Sequence, residues 1–163
     1  MGKIAIASPQ EIVTIDRGHF RQVVRSVLEG EGVGAAEISL AFVDNTTIHT
    51  LNKRYLDHDE PTDVLSFPYS EPGAQRLAGE LVLGVEVAQA QAAERGHDVQ
   101  AELTLYVIHG LLHLCGQDDR TEVAARAMRT RERQHLQALG LPDITEGAEI
   151  LVRNPKSEIR NPK

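Results

Sequence analysis

The stretch "HGLLHLCGQDD", residues 109–119, contains two histidines four positions apart and ends in two carboxylates. A four-residue step on an α-helix places His109 and His113 on one face, one turn apart. Two imidazoles in that arrangement can bind one zinc ion at about 2.0–2.1 Å. Gly116 lets the chain leave the helix, and Asp119 follows six residues after His113. This order has the spacing of a metzincin-like metal helix, and it predicts three protein ligands with a fourth position left open.

A glycine follows His109, where zinc peptidases of the HExxH type carry a glutamate as general base. Because Gly110 cannot take a proton, a peptidase mechanism of that type is not expected. A metal on this helix would still polarise a phosphoryl oxygen and lower the pKa of water, which suits phosphodiester cleavage. The alternative interpretation is a buried helix with two ordinary core histidines. The glycine and the carboxylate at fixed spacing favour the metal site.

The remaining histidines are scattered and are expected at the surface, at positions 19, 49, 58, 97 and 135. Cys115 lies two positions past His113 and therefore points elsewhere on the helix. We expect it to be a small buried apolar group. A single cysteine also excludes an internal disulfide framework.

In the rest of the chain, some segments space their apolar residues at the helical period and others at the strand period. A helix is expected after Asp16, a suitable N-cap, and a short one after Asp44 or Asn45. Further helices are predicted at 88–95, 98–115 and 120–139, the last with Val123, Ala127 and Leu136 inward; strands are predicted at an edge within 4–15, and at 37–44, 64–69 and 80–87. The pattern predicts an α+β fold, a small mixed β-sheet packed with helices in a single domain.

We place that domain at residues 1–142 and expect a disordered tail at 143–163. The tail ends in two copies of "RNPK" and carries few apolar groups, a composition that does not support a packed core. A length of 163 residues fits one domain better than two.

The composition also limits the class of protein. There is no signal-peptide pattern, and the longest apolar stretch is well short of the ~20 residues that span a bilayer. We therefore expect a soluble cytoplasmic protein. The net charge is −7, with 17 basic and 24 acidic residues, which argues against binding nucleic acid over a wide surface. Any contact with RNA must be local, at a basic patch or at a metal.

Three ordered blocks resemble the bacterial YbeY family of endoribonucleases, which are rRNA maturation factors. "HGLLHLCGQDD" resembles the family signature H-G-x-L-H-L-x-G-Y-D-H. "LNKRYLDHDEPTDVLSFPY" (51–69) and "GELVLGVEVAQAQA" (79–92) are similar to two further family blocks in the same order. The resemblance covers roughly residues 10 to 140, and three blocks in order are far more specific than one motif.

The resemblance implies a metal-dependent hydrolase that cuts single-stranded RNA. It implies a role in ribosomal RNA maturation, including the 3′ end of 16S rRNA, and in ribosome quality control. The implied cofactor is one Zn²⁺ ion, or another divalent metal, on His109, His113 and Asp119. The implied partners are ribosomal RNA and the small ribosomal subunit in the cytoplasm, with no role for DNA or a membrane.

Three positions depart from the family pattern. Asp119 stands where a histidine is usual, Gln117 where a tyrosine is usual, and Leu56 where an arginine is usual. With two neutral imidazoles and one carboxylate, a zinc site keeps one positive charge instead of two. We expect a weaker pull on bound water and more tolerance for a harder metal such as Mn²⁺. Arg54 is the candidate replacement for the missing arginine.

Several roles stay open at the level of sequence. Asp118 is either an orienting partner of a ligand histidine or the N-cap of the helix from 120. Arg54 and Ser66 are candidate substrate-binding residues, and Thr62 is a weaker one because a turn before a core strand explains it as well. No general base is assigned. Two other functions compete with the nuclease: a zinc peptidase, and a non-catalytic ribosome-assembly or RNA-binding factor with a structural metal.

Overall fold

The computed structural model describes residues 2–57, 62–71, 75–150 and 152–153. Its helices are α1 (Arg17–Gly30), α2 (Asn45–Leu56), α3 (Val85–Arg95), α4 (Val99–Leu114) and α5 (Glu122–Ala138). Its strands are β1 (Lys3–Ala7), β2 (Ala35–Val43), β3 (Val64–Pro68), β4 (Arg76–Gly84) and β5 (Val152–Arg153). The α+β prediction of a small mixed sheet packed with helices in one domain is confirmed.

The five strands form one sheet in the order β1-β2-β4-β3-β5. Among the strands that the structure describes, β3 and β4 pair antiparallel and the other three pairs are parallel. Alternate residues of each strand point to opposite faces, so Ile38 and Leu40 pack with α1 and α4, while Ala41 and Val43 pack with α2. The sheet therefore has its main core on the α4 side and a smaller cluster under α2.

Helix α4 is buried on nearly all sides, with every residue from Glu102 to Leu112 buried. It contacts β3, β4 and the helices α1, α3 and α5. Gly110 allows its close approach to the sheet, since a Cβ atom there would lie 2.9 Å from both terminal carbons of Leu81. Most side chains of this helix are apolar, and the surrounding core holds its few polar side chains in fixed positions.

Two element boundaries differ from the sequence prediction. Residues 85–87 begin helix α3 instead of continuing strand β4, because Gly84 ends the strand and acts as the N-cap. Helix α5 is rotated from the predicted orientation, so Val123 is 69% exposed and Ala127 is exposed too. The buried side of α5 carries Met128, Glu132, His135 and Leu136, and two of those four residues are ionisable.

The boundary at 142 is also corrected. Thr145 and Ala148 are buried, and β5 pairs with Val64 and Leu65 of β3. Arginines of α5 hold this stretch: Arg129 Nη2 donates to the Ala148 carbonyl at 2.6 Å, and Arg133 Nε donates to Thr145 Oγ1 at 2.9 Å. Residues 143–150 and 152–153 thus belong to the fold, and the part of the predicted tail from 154 onward lies outside the described residues.

Candidate metal centre

The structure brings His109, His113 and Asp119 together at the end of α4. The two Nε2 atoms lie 3.2 Å apart, His109 Nε2 lies 3.4 Å from Asp119 Oδ2, and His113 Nε2 lies 3.8 Å from Asp119 Oδ1. Ligand atoms bound at about 2.0–2.1 Å to one tetrahedral ion are roughly 3.3–3.4 Å from one another. One oxygen of Asp119 and the two histidine nitrogens all lie within 4.8 Å of one another, so the three side chains are close enough to bind one metal ion.

A tight turn delivers the third group to the histidines. Gly116 has φ +98°, its N–H donates to the His113 carbonyl at 3.0 Å, and the Gln117 N–H donates to the Leu112 carbonyl at 3.0 Å. This pair of hydrogen bonds is a Schellman motif, which ends α4 and turns the chain back. Gln117 Nε2 then donates to Glu31 Oε1 at 3.0 Å and ties the loop to α1. The loop geometry explains how Asp119 reaches the face of α4 that carries the histidines.

A buried carboxylate orients His109 from the other side. His109 Nδ1 hydrogen-bonds to Glu132 Oε2, and Glu132 is fully buried in α5. The guanidinium of Arg129 donates to the other Glu132 oxygen at 2.9 Å and compensates its charge. When Nδ1–H donates to a carboxylate, the Nε2 lone pair is left facing the cluster, which is the tautomer that binds a metal.

The protonation of the three groups is coupled. Burial first, and the neighbouring His109 second, lower the pKa of His113 to about 4. Burial alone would lower the pKa of His109, but hydrogen bonds to Asp119 and Glu132 outweigh it and raise that pKa. The hydrogen bond to His109 is the main reason that the pKa of Asp119 is lowered. The lowered pKa values of His113 and Asp119 keep a neutral imidazole and a carboxylate in the cluster at neutral pH, and a metal bound at His109 would displace any proton from its Nε2.

The other candidate residues are placed differently. Asp118 is exposed and its Oδ1 accepts from the Arg120 N–H at 3.2 Å. Thr121 is the N-cap of α5, so the capping interpretation of Asp118 is wrong. The carboxylate that hydrogen-bonds to His109 Nδ1 is that of Glu132. Sequence reasoning missed Glu132, although a glutamate four residues from both Met128 and Leu136, on the apolar side of α5, was a usable signal.

The candidate substrate-binding residues are divided between core and surface. Ser66 is fully buried on the α4 side of β3, so it offers no hydroxyl to a substrate in this structure, and Thr62 is buried as well. Ser66 is buried because helix α4 packs against this face of β3. Arg54 is exposed, with its guanidinium 5.5 Å from the ring centre of Tyr55. Leu56 is buried with the cluster under α2.

The surface prediction is wrong for one of the scattered histidines. His135 is buried, and it hydrogen-bonds through Nε2 to Glu31 Oε2 at 2.7 Å. His19 and His97 are half-buried, and position 58 lies outside the described residues. Cys115 is also half-buried, and its burial raises the pKa of the thiol to about 11, which keeps it uncharged and unreactive at neutral pH.

The sequence matches a known family over most of its length. The model of the family described as endoribonuclease YbeY matches residues 5–140. The endoribonuclease YbeY of Carboxydothermus hydrogenoformans is 42% identical over 139 residues, 83% of this chain and 96% of the relative. That of Pelotomaculum thermopropionicum is 38% identical over 147 residues, 86% and 93% of the two chains. The solution structure of a Thermotoga maritima protein has the same fold, with a TM-score of 0.64 and 24% identity over 83% of this chain and 88% of that one.

Proposed function

The chain belongs to the endoribonuclease YbeY family, and we propose that it cuts single-stranded RNA with one zinc ion held by His109, His113 and Asp119. The observation that carries this proposal is the convergence of those three groups, with Nε2–Nε2 and Nε2–Oδ distances of 3.2–3.8 Å. Family membership supports the endoribonuclease reaction, and the donor set supports the metal. Three ligands leave one coordination position for substrate or water, as in catalytic zinc sites.

Each group has a separate task in this proposal. When bound, the ion supplies a Lewis acid for a phosphoryl oxygen and lowers the pKa of water. His109 and His113 offer neutral Nε2 donors from a rigid, buried helix. Glu132 fixes the tautomer of His109, and Asp119 supplies the negative charge that retains a divalent cation. The general base stays unassigned, and a 2′-hydroxyl of RNA can serve as the internal nucleophile.

A peptidase is disfavoured by the geometry around Gly110. A glutamate side chain at that position would begin with a Cβ only 2.9 Å from Leu81, so the core leaves no room for the HExxH base. Neither Glu132 nor Asp118 is available to act as that base instead. Glu132 is hydrogen-bonded to His109, and Asp118 accepts from a backbone N–H. A ribosome-assembly factor with a structural metal remains the competing proposal.

We further propose that the substrate is ribosomal RNA, in particular the 3′ end of 16S rRNA, on the small ribosomal subunit in the cytoplasm. The support is family resemblance together with charge. With a net charge of −7, the protein has little non-specific electrostatic affinity for RNA. Binding to a ribosomal particle would supply further contacts that free RNA lacks. No helix in the described part of the chain is long and apolar enough to cross a bilayer.

The test is cleavage of an end-labelled single-stranded RNA by zinc-loaded wild type, beside a duplex of the same sequence. His113→Ala should abolish cleavage, and His49→Ala, a half-buried histidine on α2 away from the cluster, should leave it unchanged. Equal cleavage by wild type and His113→Ala would place the activity elsewhere. If neither cuts free RNA, the same pair is assayed on immature small subunits, and failure there would favour the assembly factor.

A further inference from the structure

Residues 143–150 form a segment without helix or strand that is nevertheless packed into the fold. Thr145 and Ala148 are only 1% and 6% exposed. Three arginine side chains bind this segment: Arg95 of α3 at the Ile144 carbonyl, Arg129 of α5 at the Ala148 carbonyl, and Arg133 of α5 at the Thr145 hydroxyl. Side-chain hydrogen bonds to backbone and hydroxyl oxygens thus dock the segment, which we call the docked segment.

Arg129 joins the docked segment to the metal centre. Its Nη2 donates to the Ala148 carbonyl at 2.6 Å, and its Nη1 donates to Glu132 Oε1 at 2.9 Å. The other oxygen of Glu132 is hydrogen-bonded to Nδ1 of His109. A continuous line of hydrogen bonds therefore runs from the backbone of the docked segment to a proposed zinc ligand.

The geometry of the guanidinium makes the two contacts of Arg129 dependent on each other. The group is planar and rigid, so its two terminal nitrogens cannot follow two acceptors that move apart. The Arg129 side chain is 26% exposed, so it can turn to water when the Ala148 carbonyl moves away. Glu132 would then lose the donor that fixes its second oxygen.

Burial makes that loss matter at the metal centre. Glu132 and His109 are 0% and 1% exposed, and hydrogen bonds in such a low-dielectric environment are strong when formed and costly when lost. Water does not reach Glu132 to replace the guanidinium. The orientation of the carboxylate, and with it that of the His109 ring, therefore depends on the docked segment.

We propose that Arg129 is a positioning residue that couples the docking of residues 143–150 to metal binding at His109, His113 and Asp119. This inference rests on the zinc site of the proposed function and adds a remote part of the chain to its support. The family model matches residues 5–140, so the docked segment lies beyond the matched part.

The coupling acts in both directions, because linkage between two equilibria is reciprocal. If the docked segment raises the affinity for zinc by some factor, bound zinc favours the docked form of the segment by the same factor. An imidazole whose Nε2 is engaged by a metal is held firmly by a carboxylate at Nδ1–H, as in carboxylate–histidine–zinc triads. Metal binding at His109 thus tightens the contact with Glu132, through which Arg129 and the segment are fixed.

The first experiment measures the zinc affinity of the full-length protein by competition with a chromogenic chelator. Arg129→Lys keeps the charge, but one ammonium group cannot span both acceptors as the guanidinium does. It should raise the Kd for zinc about 3- to 30-fold, the range expected for a residue that acts through another. Arg133→Lys is the matched control, since it makes the same change one turn further along α5 at contacts with Thr145 and Asp143. Its Kd should stay within about twofold of wild type, because Arg129 and Glu132 are untouched.

A double variant tests whether Arg129 acts through Glu132. In a Glu132→Gln background, Arg129→Lys should change the zinc Kd by no more than about twofold, because the carboxylate that it positions is already gone. Full additivity of the two losses would show that Arg129 acts by another route and would overturn the inference. Thermal unfolding of the metal-free variants shows whether each is folded.

The second experiment needs no variant and follows hydrogen exchange of backbone amides in wild type with and without zinc. The reporter is the Ala148 N–H, which donates to the Thr145 carbonyl at 3.0 Å. Zinc should slow exchange in residues 143–150 by about the factor that Arg129→Lys removes from the affinity. Helix α2, which packs on the other face of the sheet, is the internal control for general stabilisation.

The outcomes separate this inference from the proposed function. Zinc binding by wild type that is lost in His113→Ala, together with unchanged affinity in Arg129→Lys, would overturn the inference alone. Exchange in residues 143–150 that zinc slows no more than exchange in α2 would do the same. A wild type that binds no zinc would overturn the metal centre and the coupling together. Zinc binding that is coupled to the segment in a protein that cuts no RNA would overturn the nuclease and retain the coupling.

Discussion

Replacing Glu132 by glutamine should weaken zinc binding by about 10- to 100-fold, or about 1.4–2.7 kcal/mol, although Glu132 is not a ligand. The substitution keeps the size of the side chain and an oxygen that accepts from His109 Nδ1–H. It removes the negative charge that raises the basicity of the imidazole and leaves Arg129 without its carboxylate partner. Because Glu132 and His109 are both buried, water cannot take over the contact between them.

The measurement is competition for zinc between the protein and a chromogenic chelator at pH 7. Glu94→Gln, which neutralises an exposed glutamate on α3, controls for the change of one unit in net charge. Glu132→Asp is the second variant; it keeps the charge but shortens the side chain, so its affinity should fall between those of wild type and Glu132→Gln. Metal-free thermal unfolding of each variant shows whether the fold is intact. A folded Glu132→Gln with zinc affinity within twofold of wild type would refute the orienting role.

Three further changes test other parts of the site. Gly110→Ala should lower the free energy of unfolding in urea by up to about 2 kcal/mol, because overpacking against Leu81 costs about 1–3 kcal/mol and helix propensity returns ~1 kcal/mol of it. A variant more stable than wild type would mean that Leu81 moves aside without cost. Burial alone would raise the pKa of Glu31, but hydrogen bonds, of which that from Arg131 is the largest, lower it. The Glu31 carboxylate therefore stabilises the folded protein above the usual carboxyl pKa, and this stabilisation is lost as the pH falls through the lowered pKa. Glu31→Gln should therefore be less stable than wild type at pH 7, by a margin that shrinks in acid, and a margin constant from pH 7 to pH 3 would contradict this. In a plot of cleavage rate against pH, the rising limb of Asp119→His should lie at lower pH than that of wild type, because a neutral ligand leaves more positive charge on the ion. A rising limb at the same or a higher pH would count against the charge argument.

The parts of the fold that local pattern determines were predictable. Asp16 caps α1 as expected, with Phe20 to Leu28 on its buried side, and Gly116 ends α4 in the left-handed region. The three groups of the metal centre lie within eleven residues, so helix periodicity and one turn suffice to bring them together. Short-range geometry carries this information because 3.6 residues per turn fixes which side chains meet.

The parts that depend on distant packing were not predictable. Glu132 is 23 positions from His109 along the chain, and their contact exists only because α5 crosses α4. Residues 143–150 are held by two arginines of α5, Arg129 at the Ala148 carbonyl and Arg133 at the Thr145 hydroxyl, and such contacts leave no periodic signal in the segment itself. Ser66 is a candidate substrate-binding residue by sequence, and its burial follows from the position of β3 between β4 and β5 in the sheet. In each case the deciding partner is remote in sequence.

The three proposed ligands are held with unequal rigidity, and this explains which of them can vary. His109 and His113 belong to a helix enclosed by the core, and the helix packs so closely on the sheet at Gly110 that a Cβ there would clash with Leu81. Asp119 is on the surface loop before α5, and its side chain is 37% exposed. What fixes that loop is the Schellman turn and the Gln117–Glu31 hydrogen bond, neither of which involves the residue at 119. An exchange between histidine and aspartate at 119 therefore changes the charge at the metal without disturbing the core, whereas the same exchange at 109 would leave buried Glu132 facing a second carboxylate.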